Sequence, residues 1–181
     1  MEGKGETRGR KKSRGHTART ARTAHGAGKK RTPAHAHRFP DTHVPASLSA
    51  GDRRRQTEWP AASRSAYERG RYVNRPPLTS FHSRRSPHIA RAERLYRRPF
   101  SELMARVPGC SPELQQQILR KGRGAFYSSG SRPNQTPSAW ALARLASAIS
   151  GGRAARVDRH IIEKHCAPGS TAVELLHKNF P

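Results

Sequence analysis

Apolar residues keep a helical rhythm only in the last third of this chain. Leu142, Leu145, Ala146 and Ile149 recur at i, i+3, i+4 and i+7, with Trp140 nearby. This predicts a helix that opens with Thr136 as cap and Pro137 in first position, and that stops at Gly151-Gly152. Its alanines at 139, 141, 143, 146 and 148 allow a partner helix to come close. Upstream, Ser111 and Pro112 open a helix with Leu114, Ile118 and Leu119 on its apolar face. Gly122 is read as its stop, after Arg120 and Lys121. A third helix is predicted from Arg153 to His165, with Val157, Ile161 and Ile162 apolar. A fourth, short one starts at Thr171, where T-x-x-E with Glu174 reads as a capping box, and finishes near Phe180.

Before residue 100 the pattern dissolves. Residues 39–99 read as an irregular segment of Pro, Arg and aromatic residues, broken by Pro40, Pro45, Pro60, Pro76, Pro77, Pro87 and Pro99. Within it only Ile89 to Arg97 predicts a helix, because Ile89, Ala92 and Tyr96 share a face. No stretch alternates long enough for a confident strand, although Ala125–Ser128 is short enough to be extended. The fold class is therefore mostly α. A small three- to four-helix C-terminal module, residues 100–181, with a core of Leu, Ile, Val, Ala and one Trp, stands behind a long basic, largely irregular N-terminal arm. So few residues are near the lower limit for independent stability, which predicts help from a partner surface or from residues 39–99.

Charge changes the picture most. The chain has 36 Lys+Arg against 12 Asp+Glu, a formal net charge of +24. Hydrophobic residues make up only 33% and mean hydropathy is −0.93, so burial cannot offset chain entropy over the whole length. Residues 1–38 hold 12 of the cations and two acids. They form a low-complexity arm, predicted to be disordered when free. Its clusters RGRKKSR and GKKR place Arg8, Arg10, Lys11, Lys12, Arg14, Lys29, Lys30 and Arg31 as candidate phosphate contacts, without base readout. The expected partner is a polyanion, bound electrostatically and weakened by salt. Downstream, RRRQTEW, YERGRYVNR, FHSRR and RLYRRPF interleave aromatics with arginine. Such rings stack on bases, anchor in a partner protein, or fold back on the module.

Candidate chemistry is concentrated in KGRGAFYSSGSRPNQTP, residues 121–137. As a glycine-rich loop feeding a helix start, it offers Lys121, Arg123, Arg132, Asn134 and Thr136 to an anion or a partner. The alternative is a tight connection in which Arg132 bonds to carbonyls or to Asp158. It lacks the G-x-x-x-x-G-K-[ST] spacing of a P-loop. Asp158 is expected in a structural ion pair with Arg144 or Arg132. His160, His165 and Cys166 match no common zinc pattern, and no G-x-S-x-G elbow occurs. No catalytic residue, metal or cofactor is assigned.

Cys110 and Cys166 both flank the helical module, which leaves a contact between them open; the favoured expectation is two small buried or half-buried thiols in a reducing, soluble compartment. The opening MEGKGETRGRKKSRG has no apolar core of a secretory signal, and no run approaches a membrane span.

One stretch carries a resemblance. Lys121 to Pro133 (KGRGAFYSSGSRP), then Trp140 to Ser147, Gly151, Gly152 and Asp158, resemble the recurring pattern of a domain family of large DNA viruses of algae and amoebae, with looser relatives in tailed phages. The resemblance implies a viral origin and a structural protein of the particle. The leading expectation is a non-enzymatic virion protein, minor capsid or DNA-associated, present in the virion and in host cytoplasm or nucleus during infection. Its module would dock on other virion or capsid proteins, its arm would contact nucleic acid or thread between subunits, and nothing would insert in a membrane. The alternatives are a DNA-binding regulator, with the second and third helices as a helix-turn-helix-like pair, and a nuclease-like enzyme using the Gly/Arg/Ser loop.

Overall fold

A computed structural model describes residues 40–181. The arm of residues 1–38, with all eight of its candidate phosphate contacts, lies outside the described residues. The described residues fold into eight helices: α1 (Ala50–Glu68), α2 (Pro87–Tyr96), α3 (Phe100–Ala105), α4 (Pro112–Ser129), α5 (Pro137–Ile149), α6 (Arg153–Val157), α7 (Arg159–His165) and α8 (Thr171–Asn179). No strand occurs among the described residues; the lone β-bridge joins Cys110 to Cys166.

Small side chains place α5 at the centre. Ala141, Leu145, Ala146, Ala148 and Ile149 are all buried, and α2, α4, α6 and α8 pack around them. Thr136 caps α5 by accepting the Ala139 N–H at 3.0 Å, with Pro137 in first position. The main core adds Ala92, Phe100, Leu103, Val107, Leu114, Ile118, Ile162 and Leu176. Trp140, expected inside, is only half-buried and stands edge-on to His43 at 5.5 Å. The large buried aromatic of α4 is instead Phe126, 2% exposed.

Several expectations are corrected here. The first is the stop at Gly122. Helix α4 runs seven residues beyond it, through Ala125–Ser128, to Ser129, and ends at Gly130 with φ +77°. Leu114, Ile118, Gly122 and Phe126 fall four apart and form its buried stripe. Gly122 serves that stripe by having no side chain, because a Cβ there would lie 2.6 Å from the Cα of Ala141. Glycine costs a helix interior about 1 kcal/mol, which close packing of two helices recovers.

The second is residues 39–99, which are not irregular throughout. They contain the 19-residue α1 as well as α2. The buried positions of α1 are Asp52, Gln56, Pro60, Ser63 and Ala66, a helical spacing filled mainly with polar side chains and proline. Their partners are polar too. Gln56 donates to the Ser131 carbonyl at 2.8 Å, Ser63 to that of Tyr127 at 3.4 Å, and Arg64 to that of Ser128. A helix leaves its last four carbonyls without internal partners. Here α1 supplies donors to the end of α4, which holds a polar helix on the module.

The third is the continuous helix over 153–165. The chain breaks at Asp158, which ends α6 and precedes α7. Val157, expected on the apolar face, is 60% exposed. At α8 the cap is Ser170 rather than Thr171, and its side chain makes no capping bond, so the Thr171–Glu174 box does not form.

The cysteines are also corrected. Cys110 and Cys166 form a disulfide across 56 positions of sequence. The pairing tightens a contact already made by the backbone, where Ser111 N–H donates to the His165 carbonyl and Ala167 N–H to that of Gly109, each at 2.8 Å. Disulfides persist in oxidising surroundings, which runs against the reducing compartment expected from two separate thiols.

Candidate nucleic-acid interface

The segment read as an anion-binding loop is divided by the fold. Lys121 and Arg123 lie on α4, Arg132 and Asn134 follow it, and Thr136 caps α5. Three of the five carry structural bonds. Lys121 Nζ lies 2.8 Å from the Asp158 carboxylate. Asn134, at φ +53°, accepts the Leu78 N–H at 2.7 Å and donates to the carbonyls of Leu78 and Phe81. Thr136 is spent on its cap. Arg123 and Arg132 remain exposed, and neither side chain has a hydrogen bond or ion pair among the described residues. Of the proposed site, two cations face solvent and no preformed anion cradle unites the five.

Asp158 anchors the other cluster. Its side chain is fully buried, and Arg144 donates to both its oxygens, Nε at 2.7 Å and Nη2 at 2.8 Å. Lys121 approaches the oxygen that Nη2 contacts. Burial alone would push the Asp158 pKa up, but the hydrogen bonds and charges of Arg144 and Lys121 outweigh it and hold the carboxyl below its ordinary value. The expected alternative of Arg132 as partner is not what forms. A carboxylate this enclosed, with both oxygens engaged by cations, offers no open position for a metal or an attacking water. Two open grooves, one on α1 and one beside α3, do not include Asp158 in their linings.

A second feature was only half legible. Tyr67 of α1, Tyr127 of α4 and Tyr72 of the following segment form one ring cluster. Tyr67 and Tyr127 stack at 5.8 Å with planes 11° apart, and Tyr72 meets them edge-on at 5.9 and 5.1 Å. Tyr72 is nevertheless 68% exposed. Arg75 fixes its segment. The guanidinium lies 4.2 Å above the Phe126 ring and donates to the Phe126 carbonyl at 2.6 Å and the Ser131 hydroxyl at 2.9 Å. Burial lowers the Arg75 pKa to about 10, so it stays charged at neutral pH. Interleaved Tyr and Arg in YERGRYVNR signalled aromatic contacts; the partner Tyr127 lies 60 residues from Tyr67 and left no local signal.

Part of the remaining basic surface is paired, as in Arg54–Glu58, Arg85–Glu93 and Arg98–Glu102, and part is not. Arg91, Arg94 and Arg97 around α2, Arg106 after α3, and Arg153 and Arg156 on α6 are exposed, with no side-chain partner among the described residues. Arg132 also acts at a distance. Burial first, then its charge, lowers the pKa of both His43 and His88, which favours their neutral forms.

No protein-family model, no curated protein and no solved structure matches the chain. The comparisons give no support to the expected viral family, whose pattern lies in Lys121–Pro133, Trp140–Ser147, Gly151, Gly152 and Asp158. Gly122, Ala141, Arg144, Gly151 and Asp158 among them hold helices together: a Cβ on Gly151, at φ +67°, would meet Asn179 and Leu175 within 3 Å.

Proposed function

We propose that this is a non-enzymatic structural protein of a virus particle. The basic arm contacts the packaged nucleic acid through phosphates or threads between subunits, and the helical module docks on another virion protein. The carrying observation is the division of labour among its charges. Asp158 and its two cations are consumed in holding α4, α5 and α7 in register. The excess positive charge is left over, 12 cations against two acids in residues 1–38 and unpaired arginines on the module. A disulfide-bonded module also suits an extracellular particle.

The regulator reading ranks second. A recognition helix must lie along the major groove. After Gly151-Gly152 the chain supplies a five-residue α6 and a break at Asp158, which is short for that task. The nuclease reading ranks third, because the acid it would use is buried between Arg144 and Lys121.

The test is duplex binding by the full chain over a salt series, beside a variant with Arg8, Arg10, Lys11, Lys12, Arg14, Lys29, Lys30 and Arg31 all changed to Gln. Eight phosphate contacts give a log–log slope of about −7, most of which the variant loses. An unchanged slope removes the arm from the reading, and absence of the protein from purified particles removes the virion.

A further inference from the structure

The tyrosine cluster has more exposed aromatic surface than packing requires. Tyr67 and Tyr127 are half-buried between α1 and α4, whereas Tyr72 stands on them with most of its ring in solvent. Its position is prepared rather than incidental. Gly70, at φ +71°, turns the chain out of α1, and Arg75 fastens the segment to Phe126 and Ser131. Between these ties Tyr72 is buttressed by two rings and open on its outer side.

The charge around it is mainly positive. Arg71 adjoins Tyr72, and Arg123 lies one turn before Tyr127 on the same face of α4, with Arg120 three residues further back. All three side chains are exposed and have no partner among the described residues. Glu68 is the one carboxylate near the end of α1. From Arg69 to Ala92, and again from Leu114 to Val157, the sequence contains no acid. Exposed aromatic rings beside unpaired arginines on an acid-poor surface match a chain of phosphates carrying unpaired bases. Each base has a face to stack, and each phosphate a charge to neutralise. Duplex DNA offers the charge but keeps its bases stacked inside.

We propose that Tyr72, supported by Tyr67 and Tyr127 and flanked by Arg71, Arg120 and Arg123, is a stacking platform for single-stranded nucleic acid. This rests on the reading of the protein as a nucleic-acid-associated one. It adds that the folded module has its own contact, with a different preference from the arm's.

The experiment is fluorescence anisotropy with the full chain and three labelled probes: a 20-nucleotide dT strand, a 20-nucleotide rU strand and a 20-base-pair duplex. Wild type is compared with Tyr72→Ala, Tyr72→Phe and Arg123→Gln, with the melting temperature as control for folding. Because Tyr72 is largely exposed, Tyr72→Ala leaves the fold intact. It should weaken single-strand binding about ten-fold and duplex binding hardly at all, while Tyr72→Phe retains affinity. Arg123→Gln should flatten the single-strand salt slope by about one. Loss on both single strands marks stacking without sugar readout, and loss on one assigns that nucleic acid. Unchanged single-strand affinity in Tyr72→Ala, or an equal loss on duplex, overturns the platform. If the arm variant keeps its duplex slope while Tyr72→Ala still loses single strands, the platform stands and the arm reading falls. If wild type binds none of the three probes, both fall.

Discussion

Gly122 of α4 and Ala141 of α5 meet so closely that a Cβ on the glycine would stand 2.6 Å from the alanine's Cα and 2.9 Å from its Cβ. The neighbouring atoms are backbone or attached directly to it, so they cannot swing aside. Gly122→Ala gains up to about 1 kcal/mol of helix propensity but must separate the two helices. Overpacking of this kind costs about 1–3 kcal/mol. The expected result is a net loss of stability, read as a lower melting temperature. Gly124→Ala is the control, since its nearest neighbour is the Tyr67 hydroxyl at 3.2 Å, the end of a side chain that can adjust. Equal melting temperatures for the two variants would refute the close-contact account.

The buried carboxylate predicts an order among its partners. Arg144 makes two bonds to Asp158 from a side chain 18% exposed, whereas Lys121 makes one from a side chain 40% exposed. Arg144→Met strips most of the compensation from a buried charge and should cost about 3 kcal/mol. Lys121→Met, screened by solvent, should cost about 1 kcal/mol. Chemical denaturation of the two variants checks the order, and a larger loss for Lys121→Met would reverse the assignment.

The same group gives a pH dependence. Asp158 has its folded-state pKa below the ordinary value of 3.8. Its stabilisation is therefore fully present above the unfolded-state pKa, and is lost as pH falls below about 4 toward the folded value. Asp52, whose carboxyl the Ser80 N–H and hydroxyl hold low, acts in the same direction. The melting temperature should be flat around neutral pH and fall steeply below about pH 4. In Asp158→Asn that fall should be shallower, from a lower plateau. An acid limb as steep as the wild type's would show that other carboxylates control it.

Reduction should destabilise the module. Closing a loop of 56 positions restricts the unfolded chain, an effect of about 2–4 kcal/mol. Cys110→Ser and Cys166→Ser should each lose about that much, and a reducing agent should bring wild type to the same melting temperature. Insensitivity of the wild type to reductant would argue that the bond contributes nothing.

What could be read in advance followed from side-chain type. The helix α5 was legible because Leu142, Leu145, Ala146 and Ile149 are apolar at the right spacing and Thr136 and Gly151 mark its ends. Helix α1 was not, although Asp52, Gln56, Ser63 and Ala66 keep a helical period, because a polar buried face has no hydrophobic signal and Pro60 argues against it. Gly122 carried two opposite meanings, stop and close contact, and only the position of Ala141 decides between them. Asp158 was identified as a pairing residue, yet its break in the third helix had no local mark. Sequence leaves Arg144 and Arg132 as alternative partners of Asp158, and the two bonds from Arg144 make the choice. The disulfide and the Tyr67–Tyr127 stack join residues more than 50 apart, beyond the reach of any local pattern.

The covalent link between Cys110 and Cys166 also has a mechanical meaning. The 55 residues between them sit inside a closed ring, so a pull between residue 40 and the C terminus passes through the sulfurs and bypasses α4 to α7. That shortens the tether the chain can pay out by roughly 190 Å, at about 3.4 Å per residue. Under load only the helices outside the ring, α1, α2, α3 and α8, can extend for as long as its sulfurs remain joined.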